Sequence, residues 1–322
     1  MNKYEWKSPL GKKMEEFQTV KRMAGYKYER QGRLLEKFDE YCFSNSYSFL
    51  CREAVEGFCY GIYYEKERTR YEKEKILKSL AEYLCTRGDD AYICPIKSTP
   101  KRSDFVPYIY TEEELRNVFQ SIDQYPPHPR SNRNIVDPLL FRMLYGCGLR
   151  ISEALNLKVT DVNLDEGTLT ILNGKNNKSR IIPMAESLRH RSIEYKKQMH
   201  IFNDENSYFF PSPLGGKFDK STVYCRFRDY LWCAGISHSG HGPRIHDFRH
   251  THCVHCLKQW VLSGKDLLNL LPYLSAYLGH ADFRGTQYYL RLTADLYPDI
   301  ISKTEAVLGN IFPEGGYYED DK

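Results

Sequence analysis

A run of fifteen residues that is rich in proline divides this chain into two parts. The run, CPIKSTPKRSDFVPY at residues 94–108, contains three prolines among basic and polar side chains. Proline fixes its own backbone and disfavours a helical conformation in the residue before it, so this run predicts an extended linker. Because 322 residues are more than one hydrophobic core usually supports, we predict two domains, at residues 1–100 and 111–322, joined by a linker at residues 101–110.

Apolar residues recur at helical spacing on the N-terminal side of this linker. The period is found in residues 12–44 and 64–86, where it is carried by Leu34, Leu35, Phe38, Tyr41 and Cys42 and then by Ile76, Leu77, Leu80 and Leu84. Side chains at this spacing share one face of an α-helix. We therefore predict a helical N-terminal domain.

Start signals for two helices follow the linker. Thr111 precedes Glu114 by three residues, which predicts a capping box at the first helix. Asp137 followed by Pro138 predicts that a second helix starts there, with an N-cap and a proline at the first helical position. The glycines of YGCG should end this second helix, and a short helix follows in RISEALNL, whose leucines are available for burial.

The sequence changes to the period of β-strands in the middle of the second domain. Residues 168–172 (TLTIL) and 180–184 (RIIPM) are rich in β-branched side chains and flank the polar segment NGKNNKS, which predicts a hairpin with lysines at its tip. Helical patterns return from about residue 187, and a tail begins at about residue 296. The predicted fold is mainly α-helical, with a small antiparallel β-sheet in the second domain, an α+β class.

Composition sets weaker limits than these patterns. A net charge of +4 permits binding to nucleic acid without establishing it. No stretch reaches the roughly 18 apolar residues of a membrane-spanning helix, and no apolar signal sequence opens the chain, so we expect a cytoplasmic protein without a membrane partner. The ten cysteines are scattered, and without an export signal we expect them to be reduced.

Four separated segments carry residues with the chemistry of phosphoryl transfer. They are GLRISEAL, NGKNNKSRIIPM, HDFRHT and LGHADFRGTQYY, which contain Arg150, Lys175, His246, Arg249, His280 and Tyr289. Each segment alone is a weak signal. Taken together and in this order, they resemble the tyrosine recombinase family of phage integrases and Xer-type recombinases over roughly residues 110–295.

The resemblance rests on local context as well as on order. The family's first arginine lies in a G-x-R-x-x-E arrangement, here Gly148 to Glu153. A lysine in a hairpin turn, an H-x-x-R pair and an L-G-H segment come next, and a tyrosine lies nine residues beyond that last histidine, here Tyr289. The resemblance implies an enzyme that cleaves and rejoins DNA at specific sites through a 3′-phosphotyrosyl intermediate.

The residue types suit this chemistry. Attack on a phosphodiester places negative charge on the non-bridging oxygens, which Arg150 and Arg249 would hold through paired N–H donors that a lysine lacks. Glu153 would orient the guanidinium of Arg150, although a plain ion pair on a helix predicts the same contact. The charge of the arginines and lysine takes the place of metal ions, and the covalent bond retains the phosphodiester energy, so we expect no cofactor, no metal and no ATP.

The remaining roles concern protons and the nucleophile. Lys175 would protonate the departing 5′-hydroxyl, with Lys178 as the alternative. The resemblance implies that His246 is a general base or proton shuttle and that His280 donates a hydrogen bond to the phosphate. Adjacent tyrosines on a helix point about 100° apart, so we expect Tyr289 to face the phosphate and Tyr288 to pack.

The resemblance also implies how the domains meet DNA. The N-terminal domain would be a core-binding domain that closes with the catalytic domain round the duplex as a C-shaped clamp. Candidate phosphate contacts in it are Arg68, Arg70, Lys73 and Lys75. The tail would dock on the neighbouring protomer of a homo-tetramer on DNA, with packing inside its own chain as the alternative.

Other interpretations fit less well. The segment HTHCVHC offers zinc ligands but lacks the full spacing of a metal motif, and its helical period favours burial of Cys253, Cys256 and Leu257. A non-catalytic DNA-binding relative is disfavoured because all six active-site positions hold competent residues, and the L-G-H spacing fits a type IB topoisomerase poorly.

The sequence leaves the biological role open. We expect integration or excision of a mobile element, with accessory DNA-bending proteins as further partners. Xer-like resolution of DNA dimers and DNA inversion are the alternatives.

Overall fold

The computed structural model describes residues 4–100, 106–172, 179–201, 205–279, 288–290 and 292–293. The chain divides into two compact units, Met1–Phe105 and Val106–Lys322. The division falls in the proline-rich run. Each unit has its own cluster of buried apolar side chains.

The first unit contains four helices in its described part: α1 (Gly11–Met23), α2 (Glu29–Ser44), α3 (Arg52–Tyr60) and α4 (Glu67–Thr86). The predicted helical stretch 12–44 is therefore interrupted. The interruption contains Gly25 and Tyr28, which have positive φ angles of 87° and 49°, and a left-handed backbone ends a right-handed helix. The apolar positions predicted for α4 are buried in the core of this unit.

The second unit is also mainly helical. Its described elements are α5 (Glu112–Asp123), α6 (Arg133–Gly146), α7 (Ile151–Ala154), a 3-10 turn (Val159–Asp161), β1 (Val162–Asn163), β2 (Thr168–Ile171), β3 (Arg180–Pro183), α8 (Glu186–Met199), α9 (Lys220–Cys233), α10 (Asp247–Leu262) and α11 (Leu267–Leu278). Tyr288–Leu290 is helical as well. The predicted fold class, mainly α with a small antiparallel sheet, is confirmed.

The two predicted helix starts have different outcomes. Thr111 caps α5 in the predicted capping box, in which its hydroxyl accepts from the Glu114 N–H and Glu114 accepts from the Thr111 N–H. The predicted start at Asp137 is wrong, because α6 begins at Arg133 and contains Pro138. Asp137 is not a cap but a buried carboxylate that binds Arg226, and the helix continues past the single hydrogen bond that the proline removes.

The predicted hairpin is β2 and β3, which pair antiparallel with Leu169 opposite Ile182. Both of these side chains are fully buried, so the sheet presents one apolar face to the core. The short strand β1, which the sequence analysis did not predict, pairs with the other edge of β2. The hairpin tip, residues 173–178, lies outside the described residues.

Helix α10 lies in the middle of the second unit's aromatic core. Phe248 stacks on Tyr110 with ring centroids 5.0 Å apart and contacts Phe141 and Phe227. Phe248 lies in the first turn of α10 and is fully buried, and the next residue, Arg249, is buried as well. Within the part of the chain that the structure describes, no helix is long and apolar enough to cross a membrane.

Candidate active site

Arg150 stands immediately before α7 and is held by Glu153. The Glu153 carboxylate accepts from the Arg150 backbone N–H at 3.0 Å and from its Nη1 at 2.7 Å. The chain enters this turn through Gly148, whose φ is +56° and at which a Cβ would come within 2.9 Å of His252. In the G-x-R-x-x-E sequence, the first position therefore requires glycine for its backbone conformation. The arginine and the glutamate form a salt bridge with each other.

Arg180 is a residue of this site that the sequence analysis missed. At the start of β3, its Nη1 and Nη2 bind the two oxygens of Glu153 at 3.1 and 2.9 Å, and its Nε donates to the Tyr277 carbonyl at 2.8 Å. Gly279 allows this approach, since a Cβ there would lie 2.9 Å from Arg180 Nη1. In the sequence Arg180 was only the first residue of a predicted strand.

Two guanidinium groups share the Glu153 carboxylate, and this sharing sets its ionisation. Burial disfavours the charged form, but the hydrogen bonds from Arg180 and from the backbone and side chain of Arg150 outweigh it and lower the pKa of Glu153 to about 2. The carboxylate therefore stays ionised at neutral pH.

Arg249 is the second predicted arginine, and its side chain is 1% exposed. Its Nη1 donates to the Gly148 carbonyl at 2.7 Å and its Nη2 to the Leu278 carbonyl at 2.6 Å. Arg150 donates to the next carbonyl, that of Gly279, at 3.5 Å. Carbonyls at a helix C-terminus lack intrahelical partners and carry partial negative charge, so the end of α11 holds both arginines.

The arginines lie close enough to repel each other. Desolvation, followed by repulsion from Arg150, lowers the pKa of Arg249. A pair of like charges fixed by the protein in this way is suited to bind an anion that lies between them.

His246 directly precedes α10 and keeps part of its surface exposed. Desolvation of the ring, followed by the charges of Arg249, Arg150 and Arg244, lowers the pKa of His246 to about 4. The imidazole is therefore neutral at pH 7 and can either donate or accept a hydrogen bond.

The two adjacent tyrosines differ in exposure. Tyr289 is 4% exposed and Tyr288 is 41% exposed, and the Tyr288 ring packs edge-on against that of Tyr289 with centroids 5.8 Å apart. The Tyr289 hydroxyl lies 2.8 Å from His250 Nδ1. Burial, followed by the neighbouring Cys253, raises the pKa of Tyr289, and the nearby charge of Arg249 opposes the rise. Of the two tyrosines, Tyr289 is thus the one whose hydroxyl oxygen lies near Arg249.

Three residues assigned from the sequence lie outside the described residues. They are Lys175 and its alternative Lys178 in the hairpin tip, and His280 after α11.

The four candidate DNA contacts of the first unit separate into two pairs. Lys73 is 5% exposed, and its ammonium binds Glu65 and the Phe58 carbonyl, both at 2.9 Å. This burial contradicts a role for Lys73 in phosphate contact. Arg70 donates to the carbonyls of Ile62 and Tyr63. It therefore connects the first turn of α4 to the segment that precedes this helix.

Arg68 and Lys75 are exposed, and both lie against the ring of Tyr71. Arg68 also pairs with Glu72 at 3.0 Å. Exposed ion pairs of this kind are weak, so both cations can contact a phosphate.

The possible zinc segment forms part of α10. Cys253 and Leu257 are fully buried, as the helical period predicts, whereas Cys256 is half-buried with its sulfur 3.7 Å from His252 Nε2. Among the described residues, no three His, Cys, Asp or Glu side chains are grouped to hold a metal ion.

Comparison with known proteins gives consistent results. The sequence pattern of the phage integrase family matches residues 109–295. The putative integrase/recombinase y4rB of Sinorhizobium fredii is 32% identical over 215 residues, which cover 64% of this chain and 67% of that protein. The tyrosine recombinase XerA of Pyrococcus horikoshii is 28% identical over 240 residues, covering 73% and 75%.

Solved structures show the same fold. A lambda integrase tetramer bound to a Holliday junction aligns with a TM-score of 0.62 at 16% identity, over 87% of this chain and 76% of that one. The XerH recombinase bound to its difH substrate in a post-cleavage complex aligns with a TM-score of 0.60 at 22% identity, over 84% and 78%.

Proposed function

This chain belongs to the phage integrase family, and on that premise we propose that Arg150, Arg249 and Tyr289 form the centre at which it cuts DNA. Members of this family are tyrosine recombinases, which cleave and rejoin DNA at specific sites. The observation that carries the assignment is the convergence at the start of α10. Arg249, which is fixed by helix-end carbonyls and lies close to Arg150, is there next to the hydroxyl of the buried Tyr289.

In the proposed reaction, each active-site residue has one role in cleavage and the reverse role in rejoining. Arg150 and Arg249 hold the non-bridging oxygens of the scissile phosphate, and Tyr289 attacks the phosphorus to give a 3′-phosphotyrosyl bond. Lys175, or Lys178 in its place, protonates the leaving 5′-oxygen. His280 donates a hydrogen bond to the phosphate, and the neutral His246 assists proton transfer beside it. Rejoining reverses these steps without ATP.

The DNA duplex is the proposed partner of both units. We assign phosphate contacts in the first unit to Arg68 and Lys75, whose cations are exposed, and we propose that the two units close on the duplex as a clamp. The lambda integrase neighbour is a tetramer on a Holliday junction, which supports a homo-tetramer here. The tail from about residue 296 would dock on the next protomer, or else pack on its own chain.

The favoured biological role is integration or excision of a mobile element by a cytoplasmic, nucleoid-associated enzyme, with accessory DNA-bending proteins. Dimer resolution and DNA inversion use the same chemistry. Recombination assays with sites in direct, inverted and intermolecular arrangement distinguish these roles.

The first prediction concerns the adjacent tyrosines. On a nicked substrate that carries the protein's own site and traps the cleaved strand, the wild type should form a covalent adduct, in chelator as well as in buffer. Tyr289→Phe should bind the DNA but form no adduct, because it loses the attacking oxygen while it keeps the ring.

Tyr288→Phe is the matched control and should still react. Digestion of the trapped adduct and sequencing of the DNA-linked peptide identify the attacking residue. A nucleotide on Tyr288, or loss of the adduct in chelator, would contradict the assignment. A wild type that binds its site and never forms an adduct would instead indicate a non-catalytic relative.

A further inference from the structure

A second histidine, His250, contacts the proposed nucleophile. It follows Arg249 on α10, and its Nδ1 lies 2.8 Å from the Tyr289 hydroxyl oxygen. The two rings are tilted by 47° with their centroids 5.5 Å apart. This distance is that of a well-formed hydrogen bond to an oxygen that, in the proposed reaction, must lose its proton.

A carboxylate faces the other nitrogen of the same ring. Asp247, one turn earlier on α10, places its Oδ1 4.0 Å from His250 Nε2. The Asp247 side chain is 1% exposed, and its Oδ2 accepts from the Arg244 backbone N–H at 2.7 Å. Its Oδ1 is buried and accepts no hydrogen bond within the described part of the chain. A buried oxygen of this kind requires a donor, and two donors face this carboxylate, the Tyr108 backbone N–H and Nε2 of His250.

This order of groups has a defined chemical use. A carboxylate beside one imidazole nitrogen favours the tautomer with its proton on that nitrogen, which leaves the opposite nitrogen as an acceptor. A hydroxyl that donates to this acceptor is activated for nucleophilic attack. With the proton of His250 on Nε2 towards Asp247, Nδ1 is the acceptor for Tyr289.

We propose that His250 is a catalytic residue that accepts the phenolic proton of Tyr289, and that Asp247 is a positioning residue that orients the His250 ring. This inference rests on the function proposed above, with Tyr289 as nucleophile, and gives the proton of that tyrosine a named destination.

The other histidine at the site is less suited to this task. His246 lies edge-on to His250 with ring centroids 4.7 Å apart. Desolvation and three arginines lower the pKa of His246 to about 4, which makes it a weak base.

The Tyr289 oxygen forms a bond to phosphorus while the bond from phosphorus to the 5′-oxygen breaks. The phenolic proton moves to His250 Nδ1, and the departing 5′-oxygen takes a proton from the hairpin lysine. During rejoining the 5′-hydroxyl returns its proton to that lysine, and Tyr289 leaves as a phenol with the proton from His250.

The test separates the base from the acid by changing the leaving group. A suicide substrate with sulfur in place of the bridging 5′-oxygen leaves as a thiolate, which needs no proton. His250→Asn keeps an acceptor close to the position of Nδ1 but is not a base at neutral pH. Single-turnover formation of the covalent adduct should be slower by about 100-fold or more with either substrate. Lys175→Ala should be slow with the oxygen substrate and recover with sulfur.

The matched control is His255→Asn. His255 lies on the same helix and contacts a tyrosine hydroxyl through the same atom, with its Nδ1 3.0 Å from Tyr145, but that tyrosine has no proposed part in the reaction. This variant should cleave at the wild-type rate. In His250→Ala, which vacates the ring position, added imidazole should restore part of the rate, a gain that a purely structural role would not give.

Asp247→Asn should slow cleavage less than His250→Asn does and should add nothing in the His250→Asn background, since its effect passes through that ring. The inference is overturned if His250→Asn binds DNA and cleaves as fast as the wild type, cleaves faster, or recovers with the sulfur substrate as Lys175→Ala does. Each of these results leaves the wild-type adduct on Tyr289 in place. Absence of that adduct in the wild type would overturn the proposed function itself.

Discussion

At the scale of single residues, Arg180 and Glu153 determine how Arg150 is held. The Glu153 carboxylate is shared between the two guanidinium groups, and Arg180 also binds the carbonyl of Tyr277 near the end of α11. Three elements, β3, α7 and α11, are thereby connected through the Glu153 carboxylate and the Arg180 guanidinium. The orientation of Arg150 depends on contacts whose partners are far apart in the sequence.

Arg180→Lys should reduce the rate of covalent cleavage by about 10- to 100-fold, the usual effect of losing a group that orients an active-site residue. Lysine keeps the charge but cannot bind both oxygens of Glu153 and the carbonyl at once. DNA affinity should change little, because Arg180 makes no proposed contact with DNA. Single-turnover rates and filter binding measure the two effects separately.

The control for this variant is Arg142→Lys. Arg142 also binds a carboxylate through two nitrogens, that of Asp123 at 2.7 and 2.6 Å, but away from the proposed site. It should cleave normally. Equal losses in both variants would indicate a general effect on stability and contradict the positioning role.

At the scale of elements, α10 carries both buried residues of the core and residues of the proposed active site. Phe248, Cys253 and Leu257 are buried in the second unit, whereas His246 and His250 lie at the helix start beside Tyr289. Because the core fixes the helix along its length, the groups in its first turn are held in place for chemistry.

Helix α5 begins the second unit, and its capping box should contribute measurably to stability. Thr111→Ala removes the acceptor for the Glu114 N–H and should lower the free energy of unfolding by about 1 kcal/mol. Urea denaturation followed by circular dichroism measures the change. Thr222→Ala, at an exposed position on α9, is the control and should cause no loss. If both substitutions had the same effect, the cap would contribute nothing.

At the scale of the whole molecule, the chain has two units with separate apolar cores. Each core is built from side chains of its own unit, so each unit can stay folded when the chain between them is cut.

Brief digestion with trypsin should therefore cut first after Lys101 or Arg102, in the proline-rich run whose sequence predicts an extended linker, because proteases prefer extended linkers to helices and sheets. N-terminal sequencing and mass spectrometry identify the products. Both fragments should persist while cutting stays confined to this run. A first cut inside α4 or α5 would contradict the division.

The sequence by itself determined the helical class, the hairpin and the family. These features depend on local hydrophobic period, on turn chemistry and on short ordered motifs, which can be recognised without knowledge of the tertiary contacts. It also determined the capping box at Thr111, since both partners lie within one helical turn. It failed at Asp137, where a local capping signal is outweighed by burial against Arg226.

Only the tertiary structure decided the remainder of the site. The burial of Lys73 depends on Glu65 and Phe58, and the roles of Arg180 and His250 depend on partners 27 and 39 residues away. A lysine at helical spacing gives no sign of which face will be buried, and a histidine next to a motif arginine gives no sign of what its ring will contact. Such contacts arise when distant elements pack together, so they follow from the fold and not from local sequence.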